Sequence, residues 1–231
     1  MDPFPALSTT ERTRLGRLRE RGQADRAALH DVLDSGLICH LGVVIDGTPV
    51  VLPTGYGRIG EMLYLHGSSA NRSLLAAAGR EVCVTVTLLD AMVCARSVFH
   101  NSMNYRSAVI YGTARLVTDE QERMDALAAI TEHLIPGRWD NSRRPSRKDL
   151  AATVVIAVSL QEASVKARSG GPKDEEEDYA LDHWAGVLPV ATTIGPPQPD
   201  PLLRPGIEVP EHIAKLAGGS RGTAAGRADL P

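Results

Sequence analysis

Two apolar stretches around an Asp-Gly pair constrain the fold more than any other feature of this chain. Residues 37–45 are apolar nearly throughout, residues 49–56 return as a second strand, and Asp46-Gly47 is a strong hairpin turn between them. Further strands are predicted over residues 62–66, 82–89, 106–117 and 153–160. Hairpins with only two or three helices between them predict a mainly β (α+β) fold, a six-stranded antiparallel split β-barrel with flanking helices. The chain has no regular βαβ alternation and no GxGxxG at a strand–helix junction, which argues against a Rossmann domain.

Three helices are predicted from polar caps and apolar spacing. Asp25 caps a helix over residues 26–33, a second covers residues 71–78, and Asp119 caps a third over residues 120–134. Pro136-Gly137 ends the third helix.

Several connecting segments carry weaker signals. Residues 91–98 either continue the preceding strand or form a short bent one, and residues 163–168 extend the last strand after a kink. Gly112 indicates a bulge or a close backbone approach within its strand, and the run 173–178 reads most simply as a solvated acidic loop.

Length and composition indicate a soluble globular protein with one folded core. The 231 residues divide into an N-terminal polar arm or helix (1–24), a barrel domain (25–190) and a Pro-rich extension (191–231) that is extended or disordered. The formal net charge of −3 gives no basic field for nucleic acid, and no apolar run is long enough to span a membrane. The odd number of cysteines, in apolar runs, indicates reduced thiols, and the N-terminus lacks a secretion signal, so we expect a cytoplasmic protein.

A small-residue turn between a strand and a helix is the clearest candidate binding site. Residues 63–65 form the strand, Gly67, Ser68 and Ser69 break it, and Asn71-Arg72 open the helix. Such a turn presents backbone N–H groups, hydroxyls and a guanidinium together, which suits a phosphate. Arg72 alone would be a solvated residue that the helix dipole disfavours, and a bound anion removes that conflict.

Sites of other classes find little support in the sequence. CxxC and HExxH motifs are absent, so we expect no metal site, and we also expect no serine nucleophile.

Four segments carry a resemblance to a known family: 63–75 (LYLHGSSANRSLL), 88–117, 133–140 (HLIPGRWD) and 178–189. Over residues 26–190 the chain resembles the pyridoxamine 5'-phosphate oxidase-like, FMN-binding split β-barrel superfamily, in its nitroimidazole reductase/resistance-like branch. The resemblance implies a homodimer that holds FMN in a groove at the subunit interface. Some members of the superfamily bind a deazaflavin or haem instead.

The resemblance also implies roles for particular residues. The phosphate-gripping Ser-Arg-Lys step of the oxidase matches Ala70-Asn71-Arg72, where only the last position keeps a cation, and its Arg-Gln step matches Arg106-Ser107. His66 faces the active-site pocket in this branch and is the candidate catalytic residue, although a strand-end histidine bonded to a backbone carbonyl is an equally good interpretation. The full set of candidate cofactor-binding residues is Thr54, Gly55, Tyr56, His66, Gly67, Ser68, Ser69, Asn71, Arg72, Asn104, Tyr105, Arg106 and Ser107.

Two of these groups rest on local sequence as well. The glycines around Thr54–Tyr56 permit close approach of a flavin ring or mark a barrel corner. Residues 100–105 crowd polar groups into a loop between buried segments, where sites often lie and where Asn and Ser also satisfy turns. Trp184 either covers the flavin or anchors the C-terminal segment, and the second is preferred.

The function that follows is an FMN-dependent oxidoreductase that reduces a small organic acceptor, of nitroaromatic or quinone type, through flavin N5. The alternative is a flavin-, deazaflavin- or haem-binding carrier or sensor without rapid turnover, with His66 or His100 as an axial haem ligand. A purely structural dimerising barrel is a third interpretation.

Overall fold

A computed structural model of the chain describes residues 6–221. Its helices are α1 (Arg26–Ser35), α2 (Arg72–Ala77), α3 (Glu120–Leu134), α4 (Arg147–Ala151) and α5 (Glu211–Leu216). Its strands are β1 (Gly22–Gln23), β2 (Ile38–Ile45), β3 (Thr48–Ile59), β4 (Met62–Ser68), β5 (Glu81–Cys94), β6 (Ser102–Thr113), β7 (Arg115–Leu116), β8 (Thr153–Ser159), β9 (Glu162–Arg168), β10 (Gly186–Pro189), β11 (Thr192–Thr193) and β12 (Ser220–Arg221). None of the helices within residues 6–221 has the length and apolar character that crossing a bilayer requires.

Ten strands form one antiparallel sheet in the order β1-β9-β6-β5-β2-β3-β4-β8-β7, with β10 added to β5, and β11 and β12 form a separate pair. The split-barrel class predicted from the sequence is therefore confirmed. The predicted count of six strands is too low, because seven strands have seven or more residues: β2 to β6, β8 and β9. The additional strand is β9, since residues 163–168 lie in a strand of their own that pairs with β6.

The hairpin at Asp46-Gly47 forms as predicted. Both residues have positive φ, +51° and +78°, as a type I′ turn requires. The second strand is longer than predicted. Its first part pairs with β2 and its last part, from Tyr56, pairs with β4, so β3 joins the two halves of the barrel.

The long hairpin of β5 and β6 corrects one expectation and confirms another. The segment predicted as a polar loop is already strand from Ser102, which pairs with Val93. β5 continues past Asp90, where the register shifts between Leu89 and Ala91. Gly112 pairs regularly with Val82, so it forms no bulge, but a Cβ at this position would lie 3.3 Å from a methyl of Val158, which confirms a close approach.

The core has two parts. The larger lies inside the barrel, where side chains such as Leu41, Val84 and Ile110 meet Leu29 of α1 and Leu74 of α2. The smaller lies between α3 and the outer face of β4 and β8. The helices thus cover apolar surface that the barrel alone would leave exposed.

The terminal segments pack against the barrel. Leu7 is buried, β1 pairs with β9, and Arg12 forms ion pairs with Glu81 and Glu162. The described part of the C-terminal extension contains α5 and the β11–β12 pair, so it is not extended throughout. The division into three segments stays a prediction, and residues 1–5 and 222–231 lie outside the described residues.

Gly57 is the point of closest approach between α3 and the sheet, and we expect Gly57→Ala to destabilise the fold. A Cβ there would lie 2.5 Å from the backbone nitrogen of Ile130 and 2.6 Å from the carbonyl carbon of Ala129. Because the obstacle is helix backbone, α3 must move away, at a cost of about 2–3 kcal/mol in the free energy of unfolding. Urea denaturation followed by circular dichroism measures the loss. Gly195→Ala is the control, since no heavy atom lies within 4 Å of its Cβ position.

Candidate functional site

His66 lies near the end of β4 and pairs with Val155 of β8. Its side chain is half-buried, and within the described residues its Nδ1 is buried without a hydrogen-bond partner. Burial lowers the pKa of the imidazole below its ordinary value of 6.5. At neutral pH the ring is therefore neutral, which is the form that ligates a metal ion or accepts a proton.

The turn after His66 folds α2 back against β4. A Cβ at Gly67 would lie 2.6 Å from Leu74 Cδ1 and 3.0 Å from Asn71 Nδ2, so only glycine fits here without a shift. Ser68 and Ser69 are exposed; Ser68 Oγ accepts a hydrogen bond from the backbone of Ala70. The two hydroxyl groups remain predicted phosphate contacts.

Asn71 has a different role from the one predicted. Its Oδ1 accepts hydrogen bonds from the N–H groups of Ser73 and Leu74, each at 3.1 Å, as the N-cap of α2. These are the helix-terminal donors that a phosphate would need, and the cap already uses them. Arg72, the first residue of α2, is exposed and has no ion pair within residues 6–221, so it stays a predicted phosphate contact.

Arg106 is paired with protein carboxylates within one chain. Its guanidinium donates to both carboxylate oxygens of Asp90, at 2.9 and 3.1 Å, and to Asp31 of α1 at 2.9 Å. The bond to Asp90 raises the pKa of Arg106, burial opposes this, and Asp31 adds to the rise. Two carboxylates from α1 and β5 therefore already compensate its charge in the single chain, and its contact with a cofactor stays a prediction.

The other candidate residues of β6 differ from one another in their contacts. Asn104 is buried, donates to the carbonyl of Gly170 at 3.1 Å and accepts from Arg168, so its amide holds protein backbone and side chain together. Its cofactor role stays a prediction. Tyr105 and Ser107 are half-buried, pair with Leu89 and Thr87, and stay predictions.

Two of the three predicted flavin contacts in β3 lie against the flanking helices. Tyr56 is fully buried, and its hydroxyl donates to the carbonyls of Leu33 and Gly36, at 2.6 and 3.0 Å. A Cβ at Gly55 would lie 3.1 Å from Leu134. Both positions therefore accommodate the flanking helices, and their contact with a flavin stays a prediction. Thr54 is half-buried and stays a candidate.

Two further expectations concern the segment between β9 and the tail. Asp174 is no solvated residue: its side chain has no exposed surface and accepts from the backbone of Arg96 and Ser97 at 2.9 and 3.1 Å. Trp184 packs over Gly186 but remains 67% exposed, so the single chain does not bury it as an anchor would be buried.

A groove that the sequence reasoning missed lies on the outer face of the sheet. It encloses about 340 Å³ between β2, β5 and the tail and includes Ile38, His40, Thr87 and Val190 in its lining. The signal was present in the sequence, because Ile38 and His40 alternate with the buried residues Cys39 and Leu41. The same face exposes Val44 and Val51.

Comparisons with known proteins agree with this architecture. A family model described as pyridoxamine 5'-phosphate oxidase matches residues 25–167. The flavocytochrome Anf3 from Azotobacter vinelandii is 39% identical, with a TM-score of 0.86 over 91% of this chain and 98% of its own. A protein from Mycobacterium smegmatis, described as FAD and haem binding, is 38% identical, with a TM-score of 0.82 over 86% of this chain and 98% of its own.

A more distant structure shows the fold alone. A protein from Bacteroides thetaiotaomicron described as a 5-nitroimidazole antibiotic resistance protein is 21% identical, with a TM-score of 0.53 over 63% of this chain and 85% of its own. A search of curated protein sequences found no significant match.

Proposed function

Because the chain belongs to the pyridoxamine 5'-phosphate oxidase family, we propose that it is a redox protein that binds both a flavin and a haem. The observation that carries the proposal is the nearly full-length similarity, at 39% identity, to a flavocytochrome. The protein described as FAD and haem binding matches over a similar span. When bound, a flavin supplies hydride and single-electron transfer, and a haem supplies one-electron chemistry.

His66 fits the haem. An axial histidine ligates iron as a neutral imidazole, and burial holds His66 in that form. Its Nδ1 is buried without a partner among the described residues, so Nε2 is the nitrogen left to ligate iron. His100 fits less well, because its Nε2 lies 3.6 Å from the Glu175 carboxylate. We therefore assign the axial ligand to His66.

The flavin phosphate is proposed to bind at the turn after β4. Ser68, Ser69 and Arg72 provide two hydroxyls and a cation there, all exposed. The ring is proposed to lie near Thr54 and the outer face of the sheet. FMN remains the flavin predicted from the resemblance, and the similarity to an FAD-binding protein favours FAD.

A homodimer is proposed through the same outer face. Ile38, Val44 and Val51 are 49%, 52% and 65% exposed, and they extend across two neighbouring strands. Apolar side chains so arranged are typical of a surface that a partner covers. A flavin held between two such faces would be shielded from water by both chains.

The acceptor is proposed to be a small nitroaromatic or quinone. A carrier or sensor with slow turnover is the alternative, and the haem-binding relatives favour it over the structural barrel. In either case the residues of this chain bind and orient the cofactors and exclude water from them.

Light-driven reduction of the purified protein tests the proposed function. Illumination of the flavin band with EDTA under anaerobic conditions reduces flavin, and we expect the Soret band of the haem to shift to its ferrous position afterwards. A flavin that bleaches while the haem stays ferric would contradict a shared redox function. A protein with neither band would contradict the whole proposal.

The lowered pKa of His66 gives a pH prediction. Between the pKa of the folded state and the ordinary value of about 6.5, the unfolded chain binds more protons at this residue than the folded chain does. Stability is therefore highest above pH 6.5 and falls on acidification below it. Urea midpoints at a series of pH values measure this fall. We expect His66→Gln to remove part of this fall in stability. A variant with the same pH profile as the parent chain would contradict the lowered pKa of His66.

A further inference from the structure

A basic cleft lies between the N-terminal arm, the turn before β6 and the end of β9. It encloses about 710 Å³, and its lining includes Arg17, Arg21, Arg168 and Lys173, together with Phe99. We call it the arm cleft. Its volume lies within the range of about 300–1,000 Å³ that small-molecule sites occupy.

The charges in the arm cleft are not compensated by the protein. Arg168 is half-buried and donates to Asn104 Oδ1 and to the carbonyls of Gly170 and Gly171, which are all neutral acceptors. Burial, and then the nearby charge of Arg21, lower the pKa of Arg168. Two cations held together without a carboxylate are costly unless an anion joins them.

The other cations of the cleft are also available. Arg17, Arg21 and Lys173 form no ion pair within residues 6–221, and the only acidic residue in the lining is Glu20. The cleft therefore presents four cations against one carboxylate, an arrangement that suits a ligand with two or more negative charges.

An apolar side chain stands at the same cleft. Phe99 is 88% exposed, and its neighbour Val98 is 87% exposed. The exposed ring of Phe99 offers a stacking surface of the kind that bases use. A ligand with a planar base and a charged tail would contact both the ring and the cations.

From this arrangement we propose that the arm cleft binds the adenosine diphosphate part of a nucleotide, with the diphosphate at Arg21, Arg168 and Lys173 and the adenine at Phe99. That part belongs either to the FAD of the proposed function, whose two phosphates would then lie in the arm cleft instead of at the turn after β4, or to a separate nicotinamide dinucleotide that serves as reductant. The first source rests on the proposed function, and the second does not.

Titration of the protein as purified with ADP, by calorimetry, is the first test, and the flavin content of each purified variant is the second. If the source is a separate dinucleotide, ADP binds, and Arg21→Gln and Lys173→Gln each weaken it by about tenfold or more. If the source is FAD, ADP does not bind, and the same variants purify with less FAD. Arg147→Gln, an exposed arginine of α4 outside the cleft, is the control and should change neither readout.

A second variant separates the base from the phosphates. Phe99→Ala should weaken ADP, or reduce FAD content, while leaving the affinity for inorganic pyrophosphate unchanged. The proposal is overturned if Arg21→Gln and Lys173→Gln keep both the ADP affinity and the flavin content of the parent chain. The proposal is also overturned if these variants lose haem alone, since the cations of the cleft would then bind the propionate groups of haem and not a nucleotide. A protein that binds ADP but contains no flavin would contradict the proposed function and leave this inference standing.

Discussion

His66→Ala is expected to purify with little haem while keeping its flavin. The side chain removed is the half-buried neutral imidazole of β4, which we assign as the axial ligand. Loss of a protein bond to the iron would lower haem affinity far more than loss of a peripheral contact. The ratio of Soret absorbance to protein absorbance measures haem, and flavin released by heat measures the second cofactor.

Two further experiments make this prediction specific. Free imidazole added to His66→Ala during reconstitution with haem should restore a Soret band, because the small ligand fits the space that the side chain leaves. His183→Ala is the matched control, since His183 is exposed and lies outside the site. If His66→Ala keeps its haem and His100→Ala loses it, the ligand assignment is wrong.

Arg26→Gln is expected to produce the largest loss of stability. Arg26 is 5% exposed, forms an ion pair with Glu61 and donates to the carbonyl of Leu160 at 3.0 Å. Within residues 6–221, the substitution leaves the Glu61 carboxylate, itself 13% exposed, with His30 at 2.6 Å as its remaining side-chain partner. Breaking a buried ion pair in this way costs about 3–5 kcal/mol in the free energy of unfolding.

Two comparisons separate burial of the ion pair from the loss of charge alone. Arg115→Gln breaks the ion pair with Glu122, in which the arginine is 52% exposed, and should cost less than about 1 kcal/mol. Adding Glu61→Gln to Arg26→Gln should recover part of the loss, because the unpaired carboxylate is then removed. Equal losses for Arg26→Gln and Arg115→Gln in urea denaturation would contradict the argument.

Much of the fold is predictable from the sequence because its signals are local. Asp46-Gly47 specifies its hairpin through two positive φ angles, and Asp119 begins α3 by accepting from the N–H of Glu122. These features depend on neighbouring residues only. The start of β6 at Ser102 was missed because the polar residues of this segment lie in a strand stabilised by pairing with β5 and β9.

The site was harder to predict because its partners are distant in sequence. Arg106 lies 75 residues from Asp31, and no local pattern indicates that α1 brings this carboxylate to it. The glycines of β3 were assigned to a flavin, whereas Gly57 accommodates α3. Asn71 is the N-cap of α2, and its position directly before an apolar-periodic helix is typical of that role.

The amounts of flavin and haem in one purified chain test the central claim most directly. Small molecules released from the protein under denaturing conditions are identified by mass spectrometry, and each is counted against protein. We expect one flavin and one haem per chain, and the mass of the flavin decides between FAD and FMN. A deazaflavin, a flavin without haem or no cofactor would contradict the account.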